Sequence, residues 1–225
     1  MAAKKRLYTF YISVLPLMVC SGMVYSVLAI YISELGASKT EIGMIYMTGS
    51  AVGALISPMV GRVSDRIGRK PVMAMSMVGF TVAFAAYSLI ESALYAFPIQ
   101  ALEGATWAAM GTVASAFIAD LAPEKERGWA MGMYERTWFI GWIIGPMLGG
   151  YLADTIGFKA TLIIGSALTF AGLVVFLLKV GESRVASKAG GYVSPGVAMS
   201  AAHSSHTKLP LTSTSRSAHS PHASQ

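Results

Sequence analysis

Charge is scarce in this chain. Asp, Glu, Lys and Arg make up only 12% of its 225 residues, while 54% are hydrophobic. Soluble domains usually carry about twice that charge. Cysteine occurs once, at Cys20, so no intrachain disulfide can form and the redox compartment cannot be read from it. Cys20 lies inside an apolar run and reads as a small buried hydrophobe. No nucleophile–base pair, no metal-ligand cluster and no loop of Walker spacing is present. These absences argue against an enzyme, a resident cofactor and a metal centre. The excess of 17 Lys and Arg over 11 Asp and Glu would suggest nucleic acid only if the positions of the charges were ignored.

What the chain has instead is long apolar runs. Six candidate spans stand out: Leu7–Ile32, Ile42–Met59, Pro71–Ile90, Ala93–Ile118, Trp129–Leu152 and Phe158–Val180. A bilayer needs about 20 consecutive, mostly apolar residues per helix. A soluble bundle would need a polar stripe along each helix, and most of these segments lack one. Lys4-Lys5-Arg6 could open a secretory leader. The run behind it is longer than a leader's apolar core and five more runs follow, so it reads as a retained helix. The expected class is an all-α membrane protein in contact with the lipid bilayer.

Lys and Arg fall mostly on one side of these spans. Lys4, Lys5 and Arg6 precede the first; Arg62, Arg66, Arg69 and Lys70 follow the second; Lys125 and Arg127 follow the fourth; Lys179 lies at the end of the sixth, and Arg184, Lys188, Lys208 and Arg216 follow it. Only Lys39 and Lys159 lie on the other side, and Arg136 is inside the fifth span. This bias places both termini in the cytoplasm. Three parts are expected: a cytoplasmic N-terminus at 1–6, a six-helix domain at 7–183 and a disordered cytoplasmic tail at 184–225. The tail is Ser-, Ala-, His- and Gly-rich and has too little apolar surface to fold. Its pairs His203/His206 and His219/His222 lack the scaffold of a metal site.

The chain contains an internal repeat. Gly61-x-x-x-Asp65-x-x-Gly68-x-Lys70 recurs as Gly150-x-x-x-Asp154-x-x-Gly157-x-Lys159. The first copy joins spans two and three on one side. The second joins spans five and six on the other. Two three-helix units of opposite orientation, an inverted repeat, would produce this placement.

The stretch Gly61-Arg62-Val63-Ser64-Asp65-Arg66-Ile67-Gly68-Arg69-Lys70 is the richest motif. Gly61 is read as the end of the second helix, where glycine eases a tight turn. Asp65 is the lone acid among four cations, placed to accept hydrogen bonds from a helix N-terminus. Arg66, Arg69 and Lys70 anchor the loop at anionic headgroups. The loop is either a gate or a plain topological anchor. In the fifth span Gly141, Gly145 and Gly149 recur every four residues, beside Pro146 and Gly150. Small residues so spaced let two backbones approach closely, and Pro146 removes a backbone hydrogen bond. Gln100 and Glu103 lie in the fourth span; an ionisable residue there is a functional candidate because burying its charge is costly. The alternative is a wet, structural Glu103 at the membrane edge. Glu135 and Arg136 lie about two turns into the fifth span and point about 100° apart, either into a central cavity or at the interface. Tyr25, Trp107, Trp138 and Trp142 are candidates for a lipophilic lining.

The Gly61–Lys70 stretch resembles the signature loop of the major facilitator superfamily, Gly-x-Leu-Ala-Asp-Arg-x-Gly-Arg-Lys, with Val63 and Ser64 replacing Leu and Ala. The loop from Asp120 through Pro123 and Arg127 to Gly128 resembles the family as well. Gly141-x-x-x-Gly145-Pro146-x-x-Gly149-Gly150 is similar to a motif of its drug:proton antiporter branch. The resemblance implies half of a major facilitator fold, with substrate bound where a second six-helix half, from another copy or another chain, would meet it. It implies that Asp65 helps latch a cytoplasmic gate. Gln100 stands where the family has an Arg tied to proton coupling and Glu103 where it often has a Gln, so coupling does not carry over from that Arg. Gln100, Glu103, Glu135 and Arg136 are the candidates for coupling or for lining the cavity, with Glu103 the candidate to take the Arg's part. The expected function is transport of a small molecule, as proton-coupled efflux by a half or truncated transporter. The alternatives are an uptake permease for a sugar or organic acid, and a non-transporting membrane interaction protein or truncated product.

Overall fold

The structure is a computed structural model, and it describes residues 2–183. The segment 184–225, with its histidine pairs, lies outside the described residues. Six long helices follow one another: α1 (Ala2–Glu34), α2 (Lys39–Ile67), α3 (Arg69–Leu89), α4 (Ala96–Leu121), α5 (Arg127–Ile156) and α6 (Phe158–Lys179). Short 3₁₀ turns at Ala93–Tyr95 and Glu124–Glu126 precede α4 and α5. At about 1.5 Å per residue, even α3, with 21 residues, is long enough for a ~30 Å hydrocarbon layer.

Five of the six helices are long and apolar enough to cross a membrane. α4 has the length, at 26 residues, but is not among the five. Gln100, Glu103 and a run of small and weakly polar residues dilute its hydropathy.

The helix ends differ from the apolar runs for local reasons. α2 begins at Lys39 because Ser38 and Glu41 form a capping box. The Glu41 amide donates to Ser38 Oγ at 3.2 Å and the Ser38 amide to a Glu41 carboxylate oxygen at 2.7 Å, satisfying two donors that a helix start leaves open. At its other end α2 runs through Gly61 to Ile67, so the expected helix end at Gly61 is corrected. The break falls at Gly68, whose φ of 103° side-chain-bearing residues rarely adopt. The whole cationic motif is therefore helix on either side of a one-residue joint. α5 and α6 meet in the same way at Gly157, with φ 84°.

Helix pairing follows the small residues. α1 packs mainly on α5 and α6, α2 on α4, and α3 on α4 and α6. A Cβ added at Gly145 would lie 2.5 Å from the Val19 carbonyl oxygen, and one at Gly104 only 2.0 Å from that of Gly49. Backbone thus touches backbone in both the α1/α5 and α2/α4 contacts. Lipid tails are as apolar as leucine, so close packing rather than hydrophobic transfer holds such helices together. Around Phe10 the bundle closes with aromatic rings. Phe117 of α4 lies 4.9 Å away, Tyr134 of α5 6.0 Å and Phe176 of α6 6.4 Å, between centroids. Tyr11 donates to the Ala130 carbonyl at 2.7 Å. Cys20 is buried, as its apolar setting predicts.

Burial is uneven. In the most apolar stretch of α1, 61% of residues are buried, against 11% for α2 and 17% for α5. These last two turn broad apolar faces outward, with Leu55, Ile143 and Met147 exposed.

The seam makes a direct prediction. Gly104→Ala should destabilise the purified protein by ~1–3 kcal/mol, the usual cost of overpacking, in denaturation measured in detergent. Gly150→Ala should be neutral or slightly stabilising, since nothing lies within 4 Å of the added methyl and alanine favours helix over glycine.

Candidate functional site

Two groups of side chains carry charge or polarity into the bundle. The first surrounds the joint at Gly68. The Arg69 side chain is buried and its Nη2 meets Asp65 at 2.7 Å. Its Nε meets Asp120, at the end of α4, at 3.3 Å. Nη1 donates to Ser64 Oγ, which in turn donates to the Gly61 carbonyl. One guanidinium thus serves two acids and a hydroxyl from two other helices, using the fixed fork of donors that lysine lacks.

The carboxylate at the N-terminus of α3 is Glu182, which corrects the expectation for Asp65. Both Glu182 oxygens accept, from the Arg69 and Lys70 amides, at 3.0 Å each. This is the favoured place for a negative charge, facing the open amides and positive end of the helix. A Cβ at Gly68 would sit 2.5 Å from a Glu182 oxygen, so a side chain here is strained by φ and would also displace the Glu182 carboxylate from the α3 amides. Arg6 donates to the Glu182 carbonyl, Ser183 Oγ contacts Asp120, and Lys70 Nζ donates to the Leu177 carbonyl at 2.8 Å. Arg66 is exposed.

The second group centres on α4. Gln100 and Glu103 are both buried, Glu103 fully. The wet position at the membrane edge is therefore not the one Glu103 occupies. One residue draws them together: the Tyr87 hydroxyl of α3 lies 2.5 Å from Gln100 Oε1 and 3.4 Å from Glu103 Oε2. Glu103 Oε1 has no hydrogen-bond partner among the described residues, and Glu103 enters none of the ion pairs found there. Gly49 presses against the Gln100 side chain, where an added Cβ would lie 3.0 Å from it.

Beside this cluster lie two open cavities of about 420 and 490 Å³ that share Tyr25 and Trp107. Gln100 and Tyr46 line the first; Glu135, Trp138 and Trp142 line the second. Trp107 Nε1 donates to the Tyr25 hydroxyl at 3.1 Å. Trp138 stacks on Trp142 at 5.1 Å, and Tyr25 lies 6.0 Å from Trp142. All four aromatic residues singled out by sequence thus form one wall. Arg136 lines a separate cavity of about 300 Å³ with Tyr8 and Tyr11, as its 100° offset from Glu135 requires.

The glycine motif of α5 lies behind this wall. Gly141, Gly145 and Gly149 face Met18, Val19 and Met23 of α1. Gly150 is clear of neighbours, and the helix continues through Pro146. Gly22 on α1 completes the seam, where an added Cβ would lie 3.2 Å from the Pro146 ring.

Tyr87, Tyr46, Gly22, Gly49 and Glu182 escaped the sequence reading. Gly49 and Gly53, four apart, carried a usable signal. Tyr87 and Glu182 carried none, because their roles depend on contacts across the bundle.

The Major Facilitator Superfamily pattern matches residues 10–214, and the chain belongs to that family. It is 29% identical over 166 residues to the multidrug resistance protein MdtG of Dickeya zeae, covering 72% of this chain and 40% of that protein. It is 26% identical to the multi-drug resistance efflux pump PmrA of Streptococcus pneumoniae, over 68% of this chain and 39% of that one. The crystal structure of the human organic anion transporter MFSD10 (TETRAN) has the same fold, with TM-score 0.69 and 17% identity over 85% of this chain and 52% of that one. The chain spans less than half the length of the curated relatives it matches.

Because a buried Arg69 joins Asp120, which is mostly covered, and Asp65, which is half exposed, Arg69→Leu should cost ~1–3 kcal/mol, less than breaking a fully buried pair. Lys4→Gln, which removes the exposed pair with Glu126 at 3.3 Å, should cost under ~1 kcal/mol. Denaturation of the two variants side by side in detergent checks both.

Proposed function

We propose that residues 7–183 form one six-helix half of a secondary transporter, and that the assembled transporter exports a small lipophilic compound in exchange for protons. The single observation behind this reading is the aromatic wall of Tyr25, Trp107, Trp138 and Trp142, set beside a buried Glu103 that no cation in the described residues neutralises. An aromatic lining suits an apolar, planar substrate. A carboxyl held in that position avoids the cost of a buried charge by carrying a proton. It takes up or releases that proton as the cavity opens to either side. The relatives named for multidrug resistance and efflux favour export.

Several features support the six-helix, inverted-repeat reading. α1 pairs with α5 as α4 pairs with α2, and α4 pairs with α3 as α1 pairs with α6. The one-residue joints at Gly68 and Gly157 occupy equivalent places in the two halves of that scheme. α4 then spans as the polar, site-bearing helix. The outward apolar faces of α2 and α5 are where a second six-helix unit would dock, closing the cavity. Another part of the polypeptide, another copy or another chain would supply that unit. The Lys and Arg bias places both termini in the cytoplasm, and Asp65, held by Arg69, then belongs to the cytoplasmic gate. Residues 184–225 would be a cytoplasmic tail.

The test is uptake of a fluorescent lipophilic dye by inverted proteoliposomes holding the full chain, driven by a pH gradient. Flux is expected with the wild-type chain. Glu103→Gln should lower it about 10²-fold, as loss of a positioned proton-transfer group does, with dye quenching of tryptophan fluorescence retained. Trp138→Ala should weaken the quenching itself. Dye uptake that ignores the gradient, or Glu103→Gln at wild-type rate, sinks the coupling role. Absence of dye binding sinks the export reading.

A further inference from the structure

We propose that the groove between α2 and α3, floored by α4, binds an anionic glycerophospholipid. One acyl chain would lie along the floor and the headgroup phosphate between Arg62 and Arg66. This inference requires that the chain sits in a bilayer and that a docked second unit leaves the α3 side of α2 to lipid; it is independent of what is transported.

The groove has a volume of about 370 Å³. Ala105 and Ala109 of α4 form its floor, with Met59 and Val63 of α2 on one wall and Val72 and Met75 of α3 on the other. Two hydroxyls line it, and both are spent inside the protein. Ser76 Oγ donates to the Thr106 carbonyl at 2.7 Å, and Thr106 Oγ1 to the Glu103 carbonyl at 2.8 Å. What remains on the surface is methyl and thioether. Such a surface offers no orienting partner to a polar ligand but suits a hydrocarbon chain. Met59 and Met75 are well exposed, and their unbranched side chains adapt to an irregular occupant.

The wall of α2 changes character at one end. Arg62 follows Met59 by three residues and Arg66 follows Val63 by three, so the apolar face runs directly into two guanidinium groups. Both are exposed, and neither enters any of the ion pairs among the described residues. They differ in this from Arg69, which the acids of the joint hold. Met59 to Arg66 is about 10 Å along the helix. A phospholipid presents the same sequence of chemistry over that distance: a phosphate diester, then the start of an acyl chain. Guanidinium groups bind phosphate through paired, charge-assisted hydrogen bonds. The charge argues for a lipid over a helix of a second copy, since such a helix would have to supply acids at this one end.

Photo-crosslinking tests the assignment. The full chain is reconstituted in phosphatidylcholine vesicles with a small fraction of either phosphatidylglycerol or phosphatidylcholine carrying a diazirine in its acyl chain. Adducts are located by mass spectrometry after irradiation. Phosphatidylglycerol adducts should concentrate on Met59, Val63 and Met75 and exceed those of phosphatidylcholine. Arg62→Gln and Arg66→Gln should each lower that preference about fivefold, equivalent to ~1 kcal/mol per basic residue at an anionic surface. Arg127→Gln, at the same end of the bundle but on α5, should leave it unchanged. Ala109→Leu should remove the groove adducts of both lipids by filling the floor; the arginine variants decide the matter if it fails to fold. Adducts spread evenly over all exposed faces, a preference indifferent to Arg62 and Arg66, or protein–protein crosslinks at the groove residues would each overturn the proposal.

Discussion

Two backbone-to-backbone seams set the geometry of this bundle. Gly141, Gly145 and Gly149 bring α5 against Gly22 and its neighbours on α1, and Gly104 brings α4 against Gly49 on α2. Where the surroundings are as apolar as the side chains, helices gain little by hiding leucines from lipid. They gain by contact area and by the absence of anything that props them apart. Packed interiors deform little, so each seam fixes the heights and rotations of its helices. The residues of functional interest lie next to the seam positions. Glu103 precedes Gly104, and Trp142 follows Gly141. The same close approach that excludes a methyl group therefore turns the carboxyl inward and holds the indoles in the cavity wall.

α4 carries the polar burden of the described helices. Asp120 at one end accepts from Arg69, and Gln100 and Glu103 at the other meet Tyr87. Each placement has a cost that a purely apolar helix would not bear. At Asp120 an arginine and a serine offset it. At Glu103 one oxygen lacks any partner among the described residues, and a proton offsets it in the proposed cycle. In that proposal the two ends differ in kind: one holds charges fixed in ion pairs, the other a group whose charge comes and goes.

Around Gly68 the chain concentrates opposite charges where a helix must break and restart. A one-residue joint leaves the first amides of α3 open, and four nearby cations add to the positive end of the helix. Glu182, from beyond the end of α6, answers both. It draws α6 and α3 to one point, with Arg6 of α1 on its carbonyl. The bundle is tied at this end by charge-assisted hydrogen bonds, and elsewhere by close packing with a few neutral hydrogen bonds between helices.

The sequence by itself determined the helices, their approximate limits, the family and the small-residue stripe on α5. These depend on period, composition and short spacing, which act over one or two turns. It also isolated Gln100, Glu103, Glu135 and the aromatic residues of the wall, since polar and bulky residues stand out in apolar runs. It misplaced the break at Gly61, because two glycines seven residues apart both permit a turn and only the packed chain chooses between them. The tertiary structure alone decided that Glu182 rather than Asp65 caps α3, and that Tyr87 joins Gln100 to Glu103. Helix geometry already turned Glu135 and Arg136 about 100° apart, and the tertiary structure supplied the cavity that each one lines. Those outcomes depend on which helices touch and at what height, and that is set by close contact between residues as much as 176 positions apart.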